Sequence, residues 1–441
     1  PIPSQMEHAQ YAFGVRDYIR YENLLDSIRW DINDFVDWVA SDNPRTKYRN
    51  LITQSGGDTS DYPENALETV FYPTNKIRLP VNKENVIKSG LVKEKDSDLI
   101  LDYIDIDLPE SIITKNQILM LDILANNNWE RPIYFTGGSY EEAEYIWMKD
   151  YLQLDGLVYK LVPIKTSIEN NPYEMGRIDS DLMYDIVKKW SWGNSESDEI
   201  YHDPETRKNS ISFRSNLSRL SEKLISEGEY EKAEEILDLA FSKMPIDYYG
   251  YYSLWTPLVK SYYDIGKSEK VKEIVQKLSF KYSDRLSYFS SLEIFNQYDV
   301  GEEIISDIER FRNLIETIQE SGEREILADQ IKSFISSSEQ FNYIYGEYDY
   351  YISLSNFLVS LLELNELEYS MSVIDKIEEQ LIRRVSVFSN IDEDEQVYYL
   401  EGITSDINQY SRLINQIEVY DIDAYNKYDK NLKDMLARMI E

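Results

Sequence analysis

The chain has 441 residues, enough for two or three domains that each bury a core of their own. Its 46 Lys and Arg stand against 81 Asp and Glu, a formal charge of −35 at pH 7 that repels a phosphate backbone or an anionic membrane and sets nucleic acid aside as a partner. With no cysteine, disulfides, thiolate nucleophiles and Cys-held metals are excluded, and no run reaches the roughly 18 apolar residues that a membrane helix needs.

No secretion-signal pattern is present, and the start at Pro1-Ile2-Pro3 without a methionine reads as a processed or excised piece. The 37 tyrosines and 7 tryptophans are many for so charged a chain. Amphipathic rings serve protein or sugar contacts, and they equally fill the cores of helical repeats.

In chain order, Ile28, Ile32, Phe35, Val36 and Val39 recur at helical spacing, so an amphipathic helix is expected between about 15 and 39, ending before Pro44. Residues 43–75, rich in Asn, Asp, Ser, Gly, Thr and Pro, read as loop. Lys76 to Val81 reads as a strand, and Asn82 to Ser89 as a short helix closed by Gly90. Ile104, Ile106 and Leu108 alternate with Asp105 and Asp107, the period of a half-exposed strand. Thr114 opens a helix whose Ile118, Leu121, Leu124 and Ala125 face inward and which stops at Asn126-Asn127-Asn128. Ile133, Tyr134 and Phe135 make a strand before the Gly137-Gly138 turn. Ser139 and Glu142 have the capping-box spacing for a helix carrying Ala143, Ile146, Trp147 and Leu152, and residues 157–162 form a second strand, so 126–163 reads as a βαβ-like packing unit. A Gly-Gly turn before a helix can hold an anion, but Ser139 and Glu142 occupy those amides and the turn has no Lys or Arg.

Residues 166–209 read as a connector with one helix near Asp181 to Trp190. From 210 to 441 the pattern is helical and repetitive. Leu217, Leu220, Leu224, Gly228, Tyr230, Ala233, Leu237, Ala240 and Pro245 stand where a tetratricopeptide repeat places its paired helices. Trp255, Leu258, Tyr262, Gly266, Val271, Val275 and Leu278 repeat the pattern, and Leu354, Phe357, Leu361, Asn365, Ile374 and Ile377 give a weaker copy. The helix marked by Ile304, Ile308, Phe311, Ile315 and Ile318 falls outside the strict repeat. Such pairs stack into a solenoid whose concave face binds an extended segment or another domain, or they serve as a structural cap.

Candidate chemistry is sparse. Asp105-Ile106-Asp107 has the Asp-x-Asp form that can hold a divalent cation, yet the same spacing recurs at Asp96/Asp98, Asp179/Asp181, Asp392/Asp394 and Asp421/Asp423, so it discriminates little. No Gly-x-Ser-x-Gly elbow occurs, His8 lies in a polar terminus, and His202 reads as a loop side chain. Arg207 and Lys208, with Arg214 and Arg219 beyond, form a basic cluster suited to an anion or partner, or to ion pairs that dock the repeats on the first domain. Together with Tyr230, Trp255 and Tyr262 on the repeats, Arg207, Lys208 and Arg214 are the binding candidates; no catalytic residue, metal or cofactor is assigned.

Asn126-Asn-Asn-Trp129-Glu-Arg131-Pro132-Ile-Tyr-Phe135, Tyr151-Leu-Gln-Leu-Asp-Gly156-Leu-Val-Tyr159-Lys-Leu-Val-Pro163, Trp192-Gly-Asn194 and Glu205-Thr-Arg207-Lys-Asn209-Ser, with the Ile-Arg-Leu-Pro-Val-Asn-Lys run inside 76–92, resemble the extracytoplasmic part of transmembrane-protein-260-like protein O-mannosyltransferases. The bacterial members of that family, long catalogued as a domain of unknown function, are typical of Bacteroidetes. The resemblance is closest over 76–266 and looser beyond. It implies a membrane glycosyltransferase using a lipid-linked sugar, with its catalytic acid in a membrane domain that this sequence lacks, so no catalytic residue carries over. It leaves room for the start of the α/β domain to lie upstream as well.

The expectation is therefore an α+β chain: an N-terminal α/β domain over 1–165, a connector over 166–209, and a tetratricopeptide-like helical solenoid over 210–441. As the periplasmic region of a membrane-embedded parent, it would bind an acceptor polypeptide or an assembly partner, be inactive alone, and meet the lipid-linked sugar only through the absent membrane domain. The rival is a free-standing secreted tetratricopeptide protein that binds glycan or protein. A self-contained metal-dependent transferase using Asp105 and Asp107 is the third reading.

Overall fold

The computed structural model describes residues 12–15, 29–54, 56–72, 75–108, 112–136, 144–166 and 175–440. The chain divides into two compact units, Pro1–Ser191 and Trp192–Glu441.

The first unit carries three small sheets. Strands β1 (Ala12–Val15), β2 (Trp30–Asp31), β3 (Phe71–Tyr72), β4 (Lys76–Pro80), β5 (Tyr103–Asp107), β6 (Ile112–Thr114), β7 (Tyr134–Thr136), β8 (Leu152–Asp155) and β9 (Val158–Leu161) pair in the orders β3-β1-β6, β2-β4-β5 and β7-β9-β8. Among the helices that accompany them are α1 (Ile32–Ala40), α2 (Lys83–Lys88), α3 (Lys115–Asn127) and α4 (Ser180–Val187). Among the described strand pairs only β1–β3 and β2–β4 are parallel, so the described part of the unit is α+β with short sheets rather than one wound parallel sheet.

The helix expected from about 15 to 39 begins at Ile32, where the Asp31 carboxylate accepts the Asn33 amide at 2.8 Å; Ile28 lies outside the described residues. Its buried Ile32, Phe35, Val36 and Val39 are those the periodicity named. The stretch expected to be loop holds a helix, Tyr48–Gln54, as well as β3. β4, α2 and β5 stand where the sequence places them: Ile104 and Ile106 point inward, and Gly90 closes α2 at φ +70°.

The βαβ reading of 126–163 is corrected. β7 and β8 both flank β9 in antiparallel pairing, and Leu152 belongs to a strand rather than to a helix. Leu152 and Leu154 carry that strand's apolar face, and Gly156, at φ +72°, lets β8 return directly into β9. Antiparallel neighbours need only such a tight turn, whereas parallel ones need a crossover. Glu144–Tyr151 is a 3₁₀ segment, and the proposed cap at Ser139 and Glu142 lies outside the described residues. A Cβ on Gly156 would meet Ile186 Cγ2 at 3.0 Å and Trp190 at 3.2 Å, so α4 and its following turn lie directly on the hairpin. Part of the expected connector is therefore packed structure.

The hairpin encloses an ion pair. Lys160 Nζ stands 2.9 Å from Asp155, both side chains about 5 % exposed or less, and Gln153 donates to the same carboxylate at 2.8 Å. Lys160→Met alone leaves a buried carboxylate without its cation and is expected to cost about 3–5 kcal/mol, whereas pairing it with Asp155→Leu recovers most of that loss; urea titration of the single and double variants checks this.

Asp179 caps α4 through the Leu182 amide at 3.1 Å and holds Lys93 Nζ at 2.7 Å. Burial alone would raise its carboxyl, but Lys93 and the amide outweigh burial and hold it below the ordinary 3.8. A carboxylate depressed on folding stabilises at pH above its unfolded value and loses that contribution as pH falls through the folded one. Acid unfolding of Asp179→Asn should therefore show a smaller loss of stability below about pH 4 than the parent, starting from a lower stability at pH 7.

The second unit is helical. It contains α5 (Pro204–Ser226), α6 (Tyr230–Lys243), α7 (Thr256–Asp264), α8 (Ser268–Ser290), α9 (Gly301–Glu320), α10 (Leu327–Ser338), α11 (Ser355–Glu363), α12 (Leu367–Ser389), α13 (Glu393–Ile417) and α14 (Ile422–Ile440). Four pairs share one grammar. The triplets Leu217/Leu220/Leu224, Trp255/Leu258/Tyr262, Phe311/Leu314/Ile318 and Leu354/Phe357/Leu361 are all 2 % exposed or less. At one fixed spacing after each first member stands a residue at positive φ: Gly228, Gly266, Gly322 and Asn365. The Glu229, Lys267 and Glu366 amides return to the Leu224, Tyr262 and Leu361 carbonyls at 2.9 Å, closing three of these helices in a Schellman-type stop.

This corrects the sequence reading of the helix around 304–318. α9 is in register with the others, and it escaped because the interval from Trp255 to Phe311 is lengthened by the long α8 and a further short helix, Ile294–Asp299.

Hydroxyl seams run between the helices. Ser221 donates to Ser261 at 3.3 Å, Ser279 meets Gln330, and Ser337 donates to Ser283 at 2.9 Å.

Candidate functional site

Three of the six binding candidates are core residues. Trp255 is fully buried, stacked on Phe241 with centroids 4.5 Å apart, and covered by the Arg214 guanidinium at 5.0 Å. Arg214 is itself fully buried and bonds no acid: it donates to the Gly250 carbonyl at 2.8 Å, the Tyr251 carbonyl at 3.3 Å and the Ser210 hydroxyl at 2.8 Å. Removal from water pushes its guanidinium down to about 10. Tyr262 donates to Asp238 at 2.6 Å, and burial together with that carboxylate holds its phenol far above the ordinary range. These side chains join α5 to the segment entering α7, and α7 to α6, so none of the three faces a partner. Tyr230 and Lys208 are exposed and Arg207 is half-buried. Arg214→Met is expected to lower the stability of the second unit by about 2–3 kcal/mol, because two backbone carbonyls lose a charged donor while the volume under Trp255 stays filled; chemical denaturation followed by tryptophan fluorescence checks it.

The other candidates are occupied. Arg78 Nε donates to Asp105 at 2.8 Å, Arg29 lies 3.3 Å from the second Asp105 oxygen and 2.6 Å from Asp107, and the Arg78 guanidinium covers the Tyr103 ring at 3.5 Å. A divalent cation would have to displace two guanidinia from Asp105. Among the described residues no group of three or more His, Asp or Glu side chains is arranged to hold a metal. His202 stacks on Tyr248 at 5.5 Å, with Nε2 3.0 Å from the Ser197 carbonyl, and His8 lies outside the described residues.

Two of the runs behind the family resemblance, those within 76–92 and 126–135, meet in a structural knot in the first unit. α3 ends with Asn128 and Trp129 at φ +45° and +60°, and the Trp129 indole donates to the Pro80 carbonyl at 2.7 Å. Asn85 donates to the Asn128 carbonyl at 2.9 Å, and Asn82 to the Asn128 side chain at 3.2 Å. The Ile-Arg-Leu-Pro-Val-Asn run and the Asn-Asn-Trp run are thus two halves of one helix stop.

A concave site lies in the second unit instead. A groove of about 740 Å³ runs among the C-terminal half of α9, α11 and α13. Gln319, Asn356, Ser360, Gln409, Arg412 and Gln416 supply its polar lining. Its floor is fixed: Gln319 donates to Ser360 at 2.8 Å, Arg324 to the Glu363 carbonyl at 2.9 Å, and Arg312, lying over Phe334 and Phe357, to the Ser353 carbonyl at 3.2 Å. Asn356, Arg412 and Gln416 are exposed and make no hydrogen bond with other described residues, so their donors and acceptors are free for an occupant. A neighbouring hollow of about 570 Å³ shares Gln409 and Arg412 and extends along α13 to Leu400 and Val397. Sequence reading looked for aromatic faces and so missed this amide-rich one. Its signal was polar residues three and four apart, Asn356, Ser360 and Glu363 on α11 and Gln409, Arg412 and Gln416 on α13, beside the buried stripe.

None of the described helices is long and apolar enough to cross a membrane. No curated protein and no solved structure matches the chain. Residues 1–182 match the model of the family described as TMEM260-associated domain 2, and through that segment the chain is related to a TMEM260-like family.

Proposed function

We propose that the chain is the extracytoplasmic region of a membrane-embedded, lipid-linked-sugar-dependent protein O-glycosyltransferase, and that its second unit holds the acceptor polypeptide in the groove among α9, α11 and α13. The observation that carries this is the lining: the free carboxamides of Asn356 and Gln416 beside a floor fixed by Gln319, Arg312 and Arg324. Carboxamides donate to and accept from peptide groups alike, so such a wall holds an extended backbone with little regard to its side chains. That suits an enzyme that modifies many acceptors. The family match of the first 182 residues supports the association with a TMEM260-related transferase, and the periplasmic location follows from that association as part of the proposal. Sugar chemistry belongs to the proposed membrane domain, so this chain alone is without transferase activity.

A secreted glycan-binding protein is the second reading, and a binding experiment separates the two. The 441-residue chain is titrated into a fluorescein-labelled, unfolded Ser/Thr-rich peptide and, separately, into soluble mannose oligosaccharides. Peptide binding in the micromolar to submillimolar range, weakened at least fivefold by Asn356→Ala with Gln416→Ala, and no oligosaccharide binding, is the expected result. Oligosaccharide binding without peptide binding would replace this reading with the glycan-binding one.

A further inference from the structure

The groove has a charge asymmetry that a carboxamide wall does not require. Among the described residues lining the main cavity, Glu363 is the one carboxylate, and Arg324 and Arg412 oppose it, in a chain whose formal charge is −35. The two arginines differ. Arg324 is engaged with the Glu363 carbonyl, whereas the exposed Arg412 makes no hydrogen bond or ion pair with any described residue. Cations elsewhere in this unit are typically held by acids, as Lys270 is by Glu234 and Asp238, and Arg384 by Asp406. A guanidinium left free beside a groove offers a planar, bidentate partner for a carboxylate.

The same helix face then changes character. Arg412 and Gln409 lead along α13 to Leu400, 50 % exposed, and Val397, 72 % exposed, which line the adjoining hollow; its one carboxylate, Glu401, lies at that apolar end, eleven residues along the helix from Arg412. Leu400 and Arg412 are separated by about 18 Å at the rise of an α-helix, a span that an extended peptide covers in about five residues.

We propose that this groove reads an acidic residue in the bound polypeptide, with Arg412 pairing its carboxylate and Val397 and Leu400 taking an apolar side chain about five residues away. The carboxamides between them would hold the intervening backbone. This inference rests on the acceptor-binding reading and narrows its substrate class from any unfolded segment to one carrying an acid and an apolar residue at that separation. The long-range field of the chain opposes any anion, but it is screened over about 8 Å at physiological salt, so the local guanidinium decides.

The test compares two labelled peptides that differ only in Asp or Asn, set about five residues from a Leu, against the 441-residue chain by fluorescence anisotropy. The Asp peptide should bind at least fivefold tighter than the Asn peptide. Arg412→Gln should bring the two affinities together, and Arg412→Lys should restore part of the difference; circular dichroism confirms that each variant is folded. Equal affinities for the parent, or an Asp preference that survives Arg412→Gln, overturns the acidic-residue inference while leaving peptide binding in the groove intact. Binding of neither peptide overturns both readings.

Discussion

Everything in the helical unit turns on a residue held at positive φ at the end of each inner helix. Gly228, Gly266, Gly322 and Asn365 stop their helices at one fixed distance from a buried apolar triplet, and after three of them the next helix begins two residues on, at Tyr230, Ser268 and Leu367. Glycine enters that backbone region without steric cost and asparagine tolerates it, whereas other side chains resist it. Those stops recur at the same place in four helix pairs, and two of the helices they end, α9 and α11, line the groove together with α13.

A comparable constraint governs the first unit. The indole of Trp129 ties the end of α3 to the last residue of β4, while Asn82 and Asn85 fasten the start of α2 to the same stop. Long sequence motifs often invite a catalytic reading. Here Trp129 and Asn85 bond backbone carbonyls, Asn82 the Asn128 side chain, and Gln153 and Lys160 the Asp155 carboxylate, while the Asp105 carboxylate is taken up by Arg29 and Arg78. A match that ends at residue 182 accordingly identifies a scaffold, and the groove lies on residues beyond it.

Much of the fold was legible because burial leaves a periodic trace. Phe35 with Val39, Ile104 with Ile106, and Leu121 with Leu124 mark their elements directly, and the paired pattern at 217–228 and 255–266 marks the helical unit. Two kinds of information were hidden. Strand direction around Gly156 depends on which partner β9 finds, and local alternation is silent on that. The fate of Arg214, Trp255 and Tyr262 was hidden for a different reason: a cation and two amphipathic rings look like surface chemistry until Arg214 is seen to donate to the Gly250 and Tyr251 carbonyls, Tyr262 to the Asp238 carboxylate, and Trp255 to be buried beneath Arg214. The groove is made of residues far apart in the chain, so local spacing shows the polar rows on α11 and α13 separately but not that they face one another.

The serine seams give the helical unit a property that its apolar stripes alone would not. Interdigitated apolar side chains fix neighbouring helices against sliding, because any shift opens voids. Hydroxyl pairs such as Ser221 with Ser261 and Ser283 with Ser337 are small and can rotate to a new acceptor after a displacement. A small displacement of one helix against another therefore costs such a pair less than it costs the apolar triplets beside it.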